Sequence, residues 1–249
     1  GFKTSRTGFA IGTGFEQYND LFINLDLSAY YEKLETSSTA SDHKKKQEGD
    51  YLENLLTYSL IFNKLDNNFQ PTDGHKIGFE QVLPIYSDDL SIENTFNYSK
   101  YLSLSDNLIF STKFFLKAVN SIDDDVRVSR RVYIPSSKLR GFESGKFGPK
   151  DGTEYVGGNY GSAINFNSTL PNFFQGNEDI DLNLFLDAAT LREVDYDSAL
   201  ESSKIRSSTG ISVNWFTVVG PLSFSYAIPL TSEPSDTTEK FRFRIGTSF

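Results

Sequence analysis

The sequence predicts an all-β chain, an antiparallel transmembrane β-barrel with about eleven strands present. Three observations carry that prediction. Apolar and polar residues alternate with period two through segments of about ten residues. No window carries an apolar stripe at helical period, and no apolar run reaches the ~18 residues that a membrane helix needs. The connections between segments differ in length, and the three longest fall on one parity.

Taken in order, strands are expected near 8–16 and 21–34, joined by the short EQYND. A long polar stretch, 35–50, leads to a strand near 52–64. Strands near 75–85, 90–103 and 107–119 follow, with the short YSDD and LSDN between the last three. Residues 120–157 hold the longest connection; SSKLRGFESGKFGPKDGTEYVGGNY, at 136–160, is rich in glycine and has no period of either kind. Loops of that length inside a compact domain are uncommon unless they are functional or disordered. Strands near 158–170, 179–190, 206–217, 221–230 and 239–249 complete the chain. In 179–190, Ile180, Leu182, Leu184 and Leu186 oppose Asp181, Asn183 and Asp187. In the last strand Phe241, Phe243, Ile245 and Phe249 oppose Arg242, Arg244, Gly246 and Ser248.

Such alternation fits a soluble sandwich, which buries its apolar face against a second sheet, or a membrane barrel, which turns that face to lipid. The connections favour the barrel. Loops 35–50, 120–157 and 191–205 belong on one rim, and 16–20, 65–74, 104–107 and 217–220 on the other. Outer-membrane barrels show this asymmetry of short periplasmic turns and long outer loops, which places the chain in the bacterial outer membrane among its lipids. The mean hydropathy of -0.38 is no objection, because alternation averages out along every strand. An odd strand number cannot close in up-and-down fashion, so strands are expected to be missing at the N-terminus. The lack of any methionine reads the same way, as a processed or truncated chain.

Composition excludes several functions. With 24 basic and 33 acidic residues the formal charge is -9, the wrong sign for a nucleic-acid surface. There is no cysteine, and His43 and His75 are too few for a metal or triad site. Gly145-Lys146 lacks the spacing of a phosphate loop, and no Gly-x-Ser-x-Gly elbow is present. Asp123 to Asp125 read as a solvated outer loop. No catalytic residue, metal or cofactor is called for, and the chain is expected not to be an enzyme.

Four motifs carry a resemblance. LRGFESGKFGPKDGTEYVGGN (139–159) resembles the long loop of BamA-type outer-membrane assembly factors, of the bacterial surface antigen superfamily, in which an apolar-Arg-Gly-Phe tetrad recurs. Leu139, Arg140, Gly141 and Phe142 stand at the tetrad. NKLDNNFQPTDGHKIGF resembles the same family's turn, carried by Asp66, Pro71, Thr72 and Gly74. IRSSTGISVNWFTVVGPLSFSYAIPL and EKFRFRIGTSF resemble its last three strands.

The resemblance implies a complete barrel of about sixteen strands preceded by periplasmic POTRA domains, of which residues 1–249 are the C-terminal barrel portion. It implies that the long loop folds into the lumen, that Arg140 is held by Asp187, and that Asn167 stands where the family commonly has glutamate. Val218 likewise replaces the usual proline of the penultimate turn. Phe241, Phe243, Ile245, Gly246 and Phe249 would form a C-terminal assembly signal and one side of a lateral gate. The implied function is insertion and folding of outer-membrane β-barrel proteins. The implied partners are lipids, nascent barrels and, mainly through the POTRA domains, assembly-complex lipoproteins. A polypeptide-exporting barrel of the same superfamily is the alternative, and a passive porin a third.

Overall fold

The computed structural model describes residues 1–105, 108–170, 179–202, 204–217 and 220–246. Alternation produces strands as expected, many of them longer. In order they are β1 (Phe2–Tyr18), β2 (Leu21–Thr36), β3 (Gly49–Leu65), β4 (Gly74–Pro84), β5 (Ser91–Ser105) and β6 (Leu108–Ser121). A two-rung hairpin follows, β7 (Lys150–Asp151) with β8 (Glu154–Tyr155). Then come β9 (Tyr160–Thr169), β10 (Ile180–Arg192), β11 (Arg206–Thr217), β12 (Gly220–Thr231) and β13 (Phe241–Ile245). All but the hairpin form one eleven-stranded antiparallel sheet, with β1 and β13 at its ends.

The order is a plain meander, so connections alternate between two rims. The C-terminal ends of β2, β4, β6, β10 and β12 share one rim, and those of β1, β3, β5, β9 and β11 the other. This is the sorting read from the sequence. Three local features differ. β1 starts at Phe2, because its polar first residues pair with the end of β2, Phe2 opposite Thr36. A short helix α1 (Asp42–Lys46) sits in the 35–50 loop, with the Ser41 hydroxyl accepting from Lys44 N; five residues are too few to leave a periodic signature. The last described strand is β13, Phe241–Ile245, inside the 239–249 expected.

Outward side chains form the apolar band that a lipid-facing barrel requires. Phe9, Ile11 and Phe15 of β1, Leu184 and Leu186 of β10, and Ile211 and Trp215 of β11 are all exposed. So are Tyr226, Ile228 and Leu230 of β12 and Phe241, Phe243 and Ile245 of β13. In water such a surface would be an aggregation hazard.

The apolar core lies against the other face, between the inner wall and the connection from β6 to β9. Val126, Val132, Ile134, Leu139, Phe142 and Phe147 of that connection pack on Phe115, Val119, Ala163, Ala189 and Leu191 of β6, β9 and β10. The loop is therefore a plug carrying its own hydrophobic surface, not a solvated excursion. Gly161 and Gly148 make room for it. A Cβ on Gly161 would lie 2.6 Å from Val132, and Gly148 takes φ 99° with Leu191 beside it.

Candidate functional site: the loop docked in the lumen

Three consecutive strands supply the wall beneath the Leu139–Phe142 tetrad. Register places Asn165 of β9, Asp187 of β10 and Ser208 of β11 in one row. Asp187, fully buried, faces inward. Its carboxylate accepts from the Arg140 guanidinium at two points, Nε to Oδ2 at 2.7 Å and Nη2 to Oδ1 at 2.6 Å. It also accepts the Arg140 backbone N–H at 3.0 Å and Asn165 Nδ2 at 2.8 Å. Four donors meet the roughly four lone-pair sites of a carboxylate, so the buried charge is fully hydrogen-bonded.

The rest of the tetrad is held as closely. Asn167 Oδ1 accepts from Arg140 Nη2 at 2.8 Å, a contact without a charge. The guanidinium lies 3.6 Å over the centre of the Phe185 ring, which shares the inner face of β10 with Asp187. Ser208 Oγ donates to the Arg140 carbonyl. Gly141 takes φ 88°, and a Cβ there would sit 3.1 Å from Ala227 and 3.3 Å from Ser208. Leu139 and Phe142 are wholly buried, and Phe142 meets Phe147 edge-on at 5.7 Å.

Beyond the tetrad, the loop pairs with the approach to β13. Phe142 and Thr238 form an antiparallel bridge. Glu143 N donates to Thr237 O at 3.0 Å, Thr237 N to Lys146 O at 2.8 Å, and Glu239 N to Gly141 O at 3.0 Å. Arg242 turns inward and donates to the Phe142 carbonyl at 3.1 Å. Phe241, Phe243 and Ile245 point outward. Gly246 continues the pairing, its N–H donating to Pro221 O at 3.2 Å. Phe249 and Val218 lie outside the described residues.

The turn motif is elsewhere, on the opposite rim between β3 and β4. Asp66 Oδ1 accepts from Thr72 N at 3.0 Å and Asp73 N at 3.1 Å, and Oδ2 from the Thr72 hydroxyl at 2.6 Å. Burial, the largest influence, pushes the Asp66 carboxyl up. The bonds from the Thr72 hydroxyl and the N–H groups of Asp73, Thr72 and Asn67 outweigh it and hold the carboxyl below its ordinary value. Pro71 is half-buried beside these bonds. Gly74, φ 99°, ends the turn where a Cβ would fall 1.9 Å from Lys64 O. The motif shapes a turn and does not join the Arg140 site.

Sequence reasoning missed Asn165, Ser208 and Phe185. Asn165 is two residues before Asn167 and so shares its face, and Phe185 is two before Asp187. That periodicity could have found both, but Ser208 needed the β10–β11 register.

The comparisons agree with this geometry. The family model described as the Omp85 superfamily domain matches residues 1–249. The outer membrane protein assembly factor BamA of Neorickettsia risticii is 24% identical over 257 residues, covering 100% of this chain and 34% of the relative. That of Neisseria meningitidis serogroup B is 31% identical over 141 residues, covering 45% of this chain and 17% of the relative. The chain thus spans about a third or less of the length of these curated relatives. Among solved structures, BamA from Haemophilus ducreyi lacking POTRA domains 1-3 superposes with a TM-score of 0.90 at 22% identity, covering 100% of this chain and 55% of that one. CdiB from Acinetobacter baumannii reaches 0.63 at 9% identity, covering 98% and 42%. With the match running through every residue, the chain belongs to the Omp85 superfamily of outer-membrane β-barrels.

Proposed function

We propose that this chain is the C-terminal barrel portion of an assembly factor that inserts and folds other β-barrel proteins in the outer membrane, without covalent chemistry. One observation carries the reading: the Arg140 tetrad is locked to the wall at Asp187 and paired with Thr237–Glu239, directly before the terminal strand β13. Docking of the loop thereby sets where a sheet edge begins. An exposed edge presents unpaired N–H and C=O groups, a template on which another strand can pair. Superposition on a BamA barrel supports the reading. The partners proposed are lipids and nascent barrel proteins, with assembly-complex lipoproteins meeting POTRA domains of the whole protein.

A second reading is export of one passenger polypeptide through the lumen, as by another barrel of the same superfamily. The test uses the full-length protein reconstituted in liposomes. A cysteine pair joins residue 244 or 246 to the facing first strand of the barrel, and client folding is assayed with and without reductant. Arrest when oxidised and recovery when reduced is the expected result. Undiminished folding in the fully crosslinked state removes the lateral-opening mechanism, and export of one passenger with no client folding favours the second reading.

A further inference from the structure

The Arg140 site occupies one arc of the wall, β9 to β11. A second cluster of buried charges faces the same loop from the opposite arc. Glu32 of β2, Glu53 of β3 and Glu93 of β5 all point inward near the outer rim, and the first two are fully buried. Against them the loop presents Arg127 and Arg130, three residues apart and brought to one side by a turn in which Arg130 N donates to Arg127 O at 2.8 Å. Arg127 Nη2 donates to Glu53, while its Nε stands 3.5 Å from both Glu32 and Asp89. Arg130 Nη1 donates to Glu93 at 2.9 Å, and its Nη2 to Glu53 at 3.4 Å. The Arg127 guanidinium also lies 4.0 Å over the Tyr51 ring.

Without those two arginines the wall would hold three inward carboxylates, two on adjacent strands and the third two strands further on, with only Arg6 on Glu32 and Lys117 on Glu93 as charged partners among the described residues. Buried like charges at that spacing are unfavourable unless a cation lies between them. Among the described residues, Glu53 in particular takes its charged partners entirely from the loop. No motif of the sequence and no part of the Arg140 site accounts for this arrangement.

We propose that Arg127 and Arg130 form a second latch, independent of Arg140–Asp187, that pins the first half of the loop to the β2–β3–β5 arc. The loop is thus suspended between two walls, and Arg127 and Arg130 are positioning residues for the assembly activity, a role that rests on the function proposed above. The test measures amide hydrogen exchange along the loop of the full-length protein in bilayer, with heat-modifiable migration as the control for folding. In Arg127→Gln/Arg130→Gln, exchange over 126–131 should rise at least ~10-fold while 138–142 stays protected. Arg140→Gln should do the reverse. Arg127→Lys/Arg130→Lys, which keeps the charge, should recover much of the protection. If the double variant does not fold, Glu53→Gln takes its place, with the same segment expected to loosen. Protection of 126–131 that survives either variant overturns the latch, and so does loosening of the whole loop at once.

Client folding is then compared in the same liposomes. A fall of several-fold in the loosened variant supports the positioning role, and a wild-type rate overturns it. Wild-type protein that folds no client removes the assembly reading while leaving the latch to stand on exchange alone.

Discussion

At Arg140 the guanidinium and the Asp187 carboxylate are both needed because each is withdrawn from water. Truncating one partner of a buried pair leaves the other uncompensated, at a typical cost of ~3–5 kcal/mol. Asp187→Ala should therefore release the tetrad, read as trypsin cleavage at Lys138 or Arg140 at a lower urea concentration than in wild type. Arg140→Lys keeps the charge but cannot fork across two carboxylate oxygens or lie flat on Phe185, so it should fall between wild type and Asp187→Ala. Gly141→Ala places a side chain at φ 88° and against Ala227 and Ser208. Strain of that kind costs ~1–3 kcal/mol, and the same urea–trypsin assay should show a smaller shift than Asp187→Ala.

Elements bring different physics. The β3–β4 turn is closed by one carboxylate that takes the place of missing backbone partners. The Asp66 carboxyl is held below its ordinary value. Its contribution is therefore fully present above the unfolded-state value, about 3.9, and is lost as pH falls through the lower folded-state value. Asp66→Asn should abolish that acid dependence, checked by exchange of the Thr72 and Asp73 amides between pH 5 and pH 3. In β13, alternation sends Phe243 to lipid and sets its ring 4.7 Å from that of Phe224 at a tilt of 32°, while Arg242 faces the loop. A one-residue slip would reverse both. Phe243→Arg puts a cation on the lipid face, which costs ~2–4 kcal/mol at mid-bilayer. A reduced heat-modifiable fraction of the full-length protein is the expected readout.

Over the whole molecule the loop acts as the core, and the outer connections fold over it. Lys44 of α1, buried, donates to Glu154 Oε2 at 2.8 Å and to Tyr155 O at 3.2 Å. His43 stacks on Tyr196 with ring centres 3.5 Å apart. Asp195 accepts from Val126 N at 2.7 Å and from Arg131. Two outer connections thus seal the loop against the outside. Trypsin applied to intact cells should cut at the exposed Lys45 or Lys46 and spare the five basic residues from Arg127 to Arg140, as peptide mass mapping would show. Cleavage within 127–140 of folded wild-type protein would contradict the plugged lumen.

Alternation by itself determined the strands, the outward face of each and the sorting of connections between rims, because side-chain period and chain reversal are local properties of the backbone. It also put Asp187 on the inner face, and the motif resemblance drew Arg140 to it across 47 residues. Only the tertiary structure decided the rest. The Asn165–Asp187–Ser208 row depends on how β10 registers against β9 and β11. The glutamates answering Arg127 and Arg130 stand on three strands, the nearest 37 residues away. A lone inward glutamate on a barrel strand looks the same in sequence whether it faces water or an arginine. Which it faces depends on how the sheet curves and where the loop comes to rest, and both follow from burying the loop's apolar residues against the wall.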